Sequence, residues 1–156
     1  MKKILLVLAV LLIAIQFIQP EKNLSSAKSA NHISNKYPVP DDVQVVLDKA
    51  CYDCHSNNTR YPWYANVQPV AWWLNSHVEE GKGEINFDEF LTYPVKKARH
   101  KMEEVNEMVK EGEMPLNSYT WVHKEAVLSP TEKLAIADWA VSTMKIIEAE
   151  NNLKPE

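Results

Sequence analysis

The chain has 156 residues, a net charge of −4 and 46% hydrophobic residues. This fits one modest globular domain, and the acidic balance offers no surface for a nucleic-acid partner. It has only two cysteines.

The chain opens Met1-Lys2-Lys3 and then runs apolar from Ile4 to Ile18, with Gln16 the only polar residue. A charged start before an apolar run reads as an export signal or an uncleaved N-terminal anchor over 1–20. The run is short for a membrane span, which needs roughly 17–25 residues. Ser25-Ser26-Ala27 offers a late cleavage site. If the segment is retained, the two lysines stay on the cytoplasmic side and the remainder faces outward. Residues 21–37 are polar, rich in Ser, Asn, Ala and Lys, and read as a flexible tether.

A domain is expected over 38–148, followed by a tail over 149–156. Pro38-Val39-Pro40 marks its entry, and Asp41 or Asp42 can cap a helix. Val43, Val46, Leu47, Ala50 and Cys54 recur at helical spacing, so this helix is expected to run into Cys51-Tyr52-Asp53-Cys54-His55.

That pentapeptide is C-x-x-C-H, the attachment signature of c-type haem. Two thiols can form thioethers with the porphyrin vinyls, and the adjacent histidine can ligate the iron. Three plainer readings compete. A thioredoxin-like motif belongs in a βαβ context, and no strand alternation is visible. A structural zinc site needs four ligands, and two cysteines with one histidine give three. A disulfide between cysteines three apart fits helical geometry poorly.

A second helix is predicted from near Pro69, ending at Gly81-Lys82-Gly83. A short turn is expected at Asn86–Phe90. The third helix carries Val95, Ala98, Met102, Val105 and Val109 on one face, charged residues elsewhere, and Gly112 as C-cap. The last starts at Ser129 with Pro130 and Glu132 in a capping box; Leu134, Ala137, Val141 and Met144 form its expected stripe, with Trp139 beside it.

One axial position remains on an iron held by His55. Met114, in Gly112-Glu113-Met114-Pro115-Leu116, is the preferred sixth ligand, because a loop just past a helix can present its thioether. His123 is the runner-up and His77 the third. Arg60 and Trp63, with Tyr61 and Tyr64, follow the motif closely. Their donors suit haem propionates or plain packing equally well.

Taken together, Cys51–His55, Pro62-Trp63-Tyr64, Trp72-Trp73, Ile85-Asn86-Phe87, Met114-Pro115, Tyr119, His123 and Trp139 resemble the bacterial haem-binding-domain family, a cytochrome c-like group. The resemblance covers roughly residues 38–145. It implies an all-α cytochrome c-like domain wrapped around one covalently attached haem c, preceded by the signal or anchor helix. It further implies packing of 43–54 on 134–144 and Met114 as distal ligand. The expected function is single-electron transfer in the bacterial periplasm with redox partner proteins, and no enzyme activity. The acidic surface favours a basic patch on such a partner. The alternative is a small-ligand sensor or an accessory haem module of a peroxidase-type system, which needs an open sixth position.

Overall fold

The computed structural model describes residues 1–25, 27 and 29–153. Ser26, within the late cleavage site, and the last three residues of the tail lie outside them. The described residues are all-helical, with no strand. The helices are α1 (Lys2–Ile15), α2 (Asp41–Ala50), α3 (Tyr52–His55), α4 (Val70–Glu84), α5 (Val95–Glu111), α6 (Asn117–Thr120) and α7 (Pro130–Asn151). Short 3-10 turns cover Ile33–Asn35, Trp63–Asn66, Phe90–Thr92 and Lys124–Ala126.

The core lies where α5 and α2 pack on α7. α5 follows its predicted face: Ala98, Met102 and Val109 are buried, and Gly112 caps the helix in the left-handed region at φ 79°. Arg99, on its charged side, is only 12% exposed and bridges to Glu148 of α7 at 3.0 Å. α7 begins as its sequence dictates, with Ser129, Pro130 and Glu132 forming the full capping box. Its buried stripe matches the expected one in part: Ala137 is buried and Met144 half-buried, but Ile136, Ala140, Thr143 and Ile147 also face inward with Trp139, and Leu134 is 59% exposed. Two apolar phases three and four residues apart overlap in this sequence, and contact with α2 and α5 selects the one containing the bulkier Ile136 and Trp139.

The helix before the pentapeptide does not run through it unbroken. α2 ends at Ala50, Cys51 leaves helical geometry at φ −124°, and a new turn starts at Tyr52. Neither Asp41 nor Asp42 caps α2; Pro40 holds that position and both aspartates sit in the first turn, where they complement the helix dipole.

The 21–37 stretch, expected as a tether, is partly built into the domain. Ile33 and Tyr37 are core residues. The Ile33 amide donates to the Phe87 carbonyl at 2.9 Å, and the Leu91 amide to the Asn31 carbonyl at 3.0 Å. Isolated apolar residues in a polar stretch carry no period, so this anchoring left no pattern in the sequence.

No residue of α1 is buried. No helix among the described residues is long and apolar enough to cross a membrane.

Candidate functional site

The pentapeptide meets α4 at its C-terminal half, and the close approach is possible because residue 81 is glycine. A Cβ there would lie 2.8 Å from the Cys54 carbonyl oxygen. Gly81 therefore does not end α4, which runs through Gly81-Lys82-Gly83 to Glu84. Instead it lets the helix backbone touch the motif.

The same contact fixes His55. Its Nδ1–H donates to the carbonyls of Gly81 at 2.8 Å and Ile85 at 2.9 Å. Both lie at the C-terminal end of α4: the Gly81 carbonyl also accepts from the Ile85 amide at 3.0 Å, and Ile85 is the residue that caps the helix. Nδ1 is committed as the donor, so the lone pair resides on Nε2, the tautomer a metal-ligating histidine requires. Burial lowers the pKa of His55, more than the two carbonyls raise it, which keeps the ring neutral. Phe87 completes the bracket: its amide donates to the His55 carbonyl at 2.9 Å, and its ring lies between His55 and Trp139.

His55 and Cys54 line a cavity of about 370 Å³, mostly apolar, a size suited to a small-molecule ligand. Trp73, Leu74, His77 and Val78 of α4 form one wall. The 114–123 segment supplies another, with Met114, Pro115, Leu116, Tyr119 and His123. Cys51 does not line the cavity; it packs against the core at the joint between α2 and α3. Both thiols are free. Burial pushes Cys51 up to about 12 and Cys54 up to about 11, so both stay protonated at neutral pH.

Met114 reaches the cavity through the α5 terminus. Gly112 turns left-handed, and the amides of Glu113 and Met114 both donate to the Met108 carbonyl, at 2.9 and 3.2 Å. The thioether is half-buried at the edge of the core. His123, the runner-up, has both ring nitrogens occupied. Nε2 pairs with the Tyr64 hydroxyl at 2.7 Å and Nδ1 with Glu125 at 3.2 Å, while the ring stacks on Tyr119. To ligate a metal it would have to give up one of these bonds. His77 bonds the Trp73 carbonyl through Nδ1 at 3.0 Å.

Arg60 lines the cavity, but its fork is already engaged. Nε and Nη2 donate to the Asp53 carboxylate at 2.9 and 3.2 Å, and Nη2 also to the Asp48 carbonyl at 2.7 Å. The Tyr119 hydroxyl donates to the same carboxylate at 2.7 Å. Burial and Asp53 together push the Tyr119 pKa up, so it stays a donor. Trp63 is 80% exposed, packs edge-on against Tyr64 and does not line the cavity. Tyr64 takes the wall position instead.

Sequence reasoning missed three contributors. Asp53, read only as a spacer, ties the motif to Arg60 and Tyr119. Gly81 belongs to the stretch expected to end α4, which closes one residue past that stretch at Glu84, but its contact with Cys54 has no local signature. Asn23 escaped notice in the polar stretch, yet its side-chain amide donates to the Ser56 carbonyl at 2.8 Å and to Thr59 Oγ1 at 3.0 Å, and its oxygen accepts from Lys82 at 2.7 Å. An asparagine there carries no sequence signal.

Among the described residues, then, an all-helical domain encloses an apolar cavity lined by an imidazole of fixed tautomer and, on another wall, by a thioether. The family model described as a haem-binding domain matches residues 10–142, and the chain belongs to that family. The match starts inside α1 and takes in the 21–37 stretch. No curated protein and no solved structure matches the chain.

Proposed function

We propose that the protein is a c-type monohaem electron carrier of the bacterial periplasm, held at the inner membrane by its N-terminal segment. One observation carries this reading: a single cavity receives Cys54 and His55 from the motif and Met114 from the loop after α5. Cys54 in the cavity and Cys51 at the joint beside it would hold the haem through thioethers, and His55 and Met114 would ligate its iron. Bound there, the haem supplies one electron, reversibly.

The chain's own residues account for the rest. The α4 carbonyls orient His55, and the apolar wall keeps water from the group. The bonds to Tyr64 and Glu125 hold His123 back from the metal, which favours Met114. A thioether favours the reduced metal more than a second imidazole does, so the potential is set on the higher side. The partner is a redox protein, with a basic patch matching the net negative charge.

The test is an absorption spectrum of the purified holoprotein. A low-spin ferric form with a weak far-red band supports methionine ligation. A high-spin ferric form would overturn the electron-carrier reading in favour of a ligand sensor or peroxidase-type module.

A further inference from the structure

The apolar N-terminal segment does not leave the domain through a loose linker. It is bolted on. Gln16 exchanges two bonds with the backbone of Gln68: its Nε2 donates to the Gln68 carbonyl at 3.2 Å, and its Oε1 accepts from the Gln68 amide at 3.0 Å. The Ile18 carbonyl accepts from Gln68 Nε2 at 2.7 Å and from the Trp72 indole at 3.0 Å. Gln19 donates to the Asn66 carbonyl, and Lys22 to the Asn66 side chain. Gln68 itself is 3% exposed, so this joint is part of the folded domain.

Around the joint, the same two chain segments expose large apolar side chains. Phe17 is 85% exposed, Ile18 60% and Trp63 80%, with Val67, Val70 and Trp72 partly exposed beside them in sequence. Large apolar side chains exposed on two segments that are hydrogen-bonded to each other call for a cover. It is continuous with α1, which is apolar along its whole length. Tryptophans that are apolar in body with a polar N–H suit the headgroup level of a bilayer.

We propose that this face, Phe17, Ile18, Trp63, Val67, Val70 and Trp72, rests in the interfacial layer of a lipid bilayer, so that the domain stands on the membrane in one fixed orientation. This rests on the reading of the N-terminal segment as a retained anchor. Trp73 and Tyr64, neighbours of the face in sequence, line the cavity. On this proposal these residues sit on the membrane side of the domain, within reach of membrane-bound redox partners rather than freely diffusing ones.

The experiment uses the full-length holoprotein in vesicles of phosphatidylethanolamine and phosphatidylglycerol. Co-sedimentation and intact mass read the anchor. Hydroxyl-radical footprinting, with the detergent-free soluble fraction of the same preparation as reference, reads the face. Several-fold lower oxidation of Trp63 and Phe17 on vesicles is expected, with Leu134 of α7 unchanged. Gln16→Ala and Gln68→Ala should keep the chain on the vesicles while restoring Trp63 oxidation, as the joint loosens. Gln16 is the more exposed of the two, so it serves if the Gln68 variant fails to fold. Co-sedimentation with Trp63 oxidised as in the soluble reference overturns the proposal and leaves the anchor standing. Loss of Met1–Ile18 from the mature mass, or no co-sedimentation, overturns the anchor and the proposal together. Protection of Trp63 that rises with protein-to-lipid ratio means that a second copy covers the face, which also overturns it.

Discussion

The backbone of Gly81 rests on Cys54, so close that a side chain at 81 would collide with the Cys54 carbonyl oxygen at 2.8 Å and its Cβ at 3.0 Å. Gly83, one residue past Lys82 in the same helix, has nothing within 4 Å of where its Cβ would lie. The two glycines should answer oppositely to the same substitution. Helix propensity favours alanine over glycine by about 1 kcal/mol. At position 81 the collision opposes this with roughly 1–3 kcal/mol of overpacking against backbone that cannot yield. Gly81→Ala should therefore lower the melting temperature and loosen His55, whereas Gly83→Ala should raise it slightly. Thermal unfolding of both variants checks this; equal behaviour would show that the contact is not tight.

Covalent attachment should be visible on extraction. Acid–acetone should leave the haem on the wild-type chain and remove it from the Cys51→Ala, Cys54→Ala double variant. Haem freely extracted from wild type would show that the thiols are not bonded to it.

Met114→Ala should open the sixth position, giving a high-spin ferric spectrum and rapid carbon monoxide binding when reduced. Met114→His should stay low-spin at a lower potential, because imidazole favours the ferric state. His77→Ala and His123→Ala should remain low-spin. A silent Met114→Ala beside a high-spin His123→Ala would reassign the ligand, and would require the Tyr64 and Glu125 bonds to break.

Asn23→Ala removes three side-chain bonds that gather Ser56, Thr59 and Lys82 around the end of the motif. Partly buried bonds of this kind contribute about 1 kcal/mol each. A loss of roughly 2–3 kcal/mol in denaturant unfolding is expected, with the spectrum little changed. A neutral result would return 21–37 to the role of a linker.

Glu132 carries a pH dependence. Its bonds to Lys49 and to the Ser129 backbone hold it down at about 2, from an ordinary value of 4.5. A carboxylate lowered on folding stabilises the native state above its unfolded pKa and loses that contribution as pH falls through the folded one. The window runs from about 4.5 down to about 2. The side chain is 30% exposed, so the ion pair is screened and adds under about 1 kcal/mol. Glu132→Gln should flatten the stability curve across that window and nowhere else. An unchanged slope between the two forms would discount the pairing.

The sequence announced some of this plainly. The capping box at Ser129, the Gly112 stop and the α5 stripe are local rules, and local rules survive folding. Cys54, His55, Met114, His77 and His123 do meet at one cavity, because each was marked by its chemistry. The misreadings share one cause. Gly81 makes a contact with a residue 27 positions earlier that no local rule announces, and partner helices, not α7, decide that Leu134 is exposed while Ile136 is buried. Ile33 and Asn23 were invisible for the same reason: each acts through neighbours distant in sequence and repeats no pattern. Arg60 was known as a donor, but not that the spacer aspartate would claim it.

Between the two cysteines, the spacer residues face different tasks. Tyr52 sets its ring edge-on against Phe87 at 5.6 Å, inside the domain, while Asp53 gathers Arg60 and Tyr119 on its carboxylate. Tyr119 lies on the segment that also delivers Met114 to the cavity. The pentapeptide is thus a structural hub. Grafted into another helical scaffold, it would transfer the thiols and the imidazole but leave behind the strap that ties them to the segment carrying Met114. A designer borrowing this motif should borrow Arg60 and Tyr119 with it.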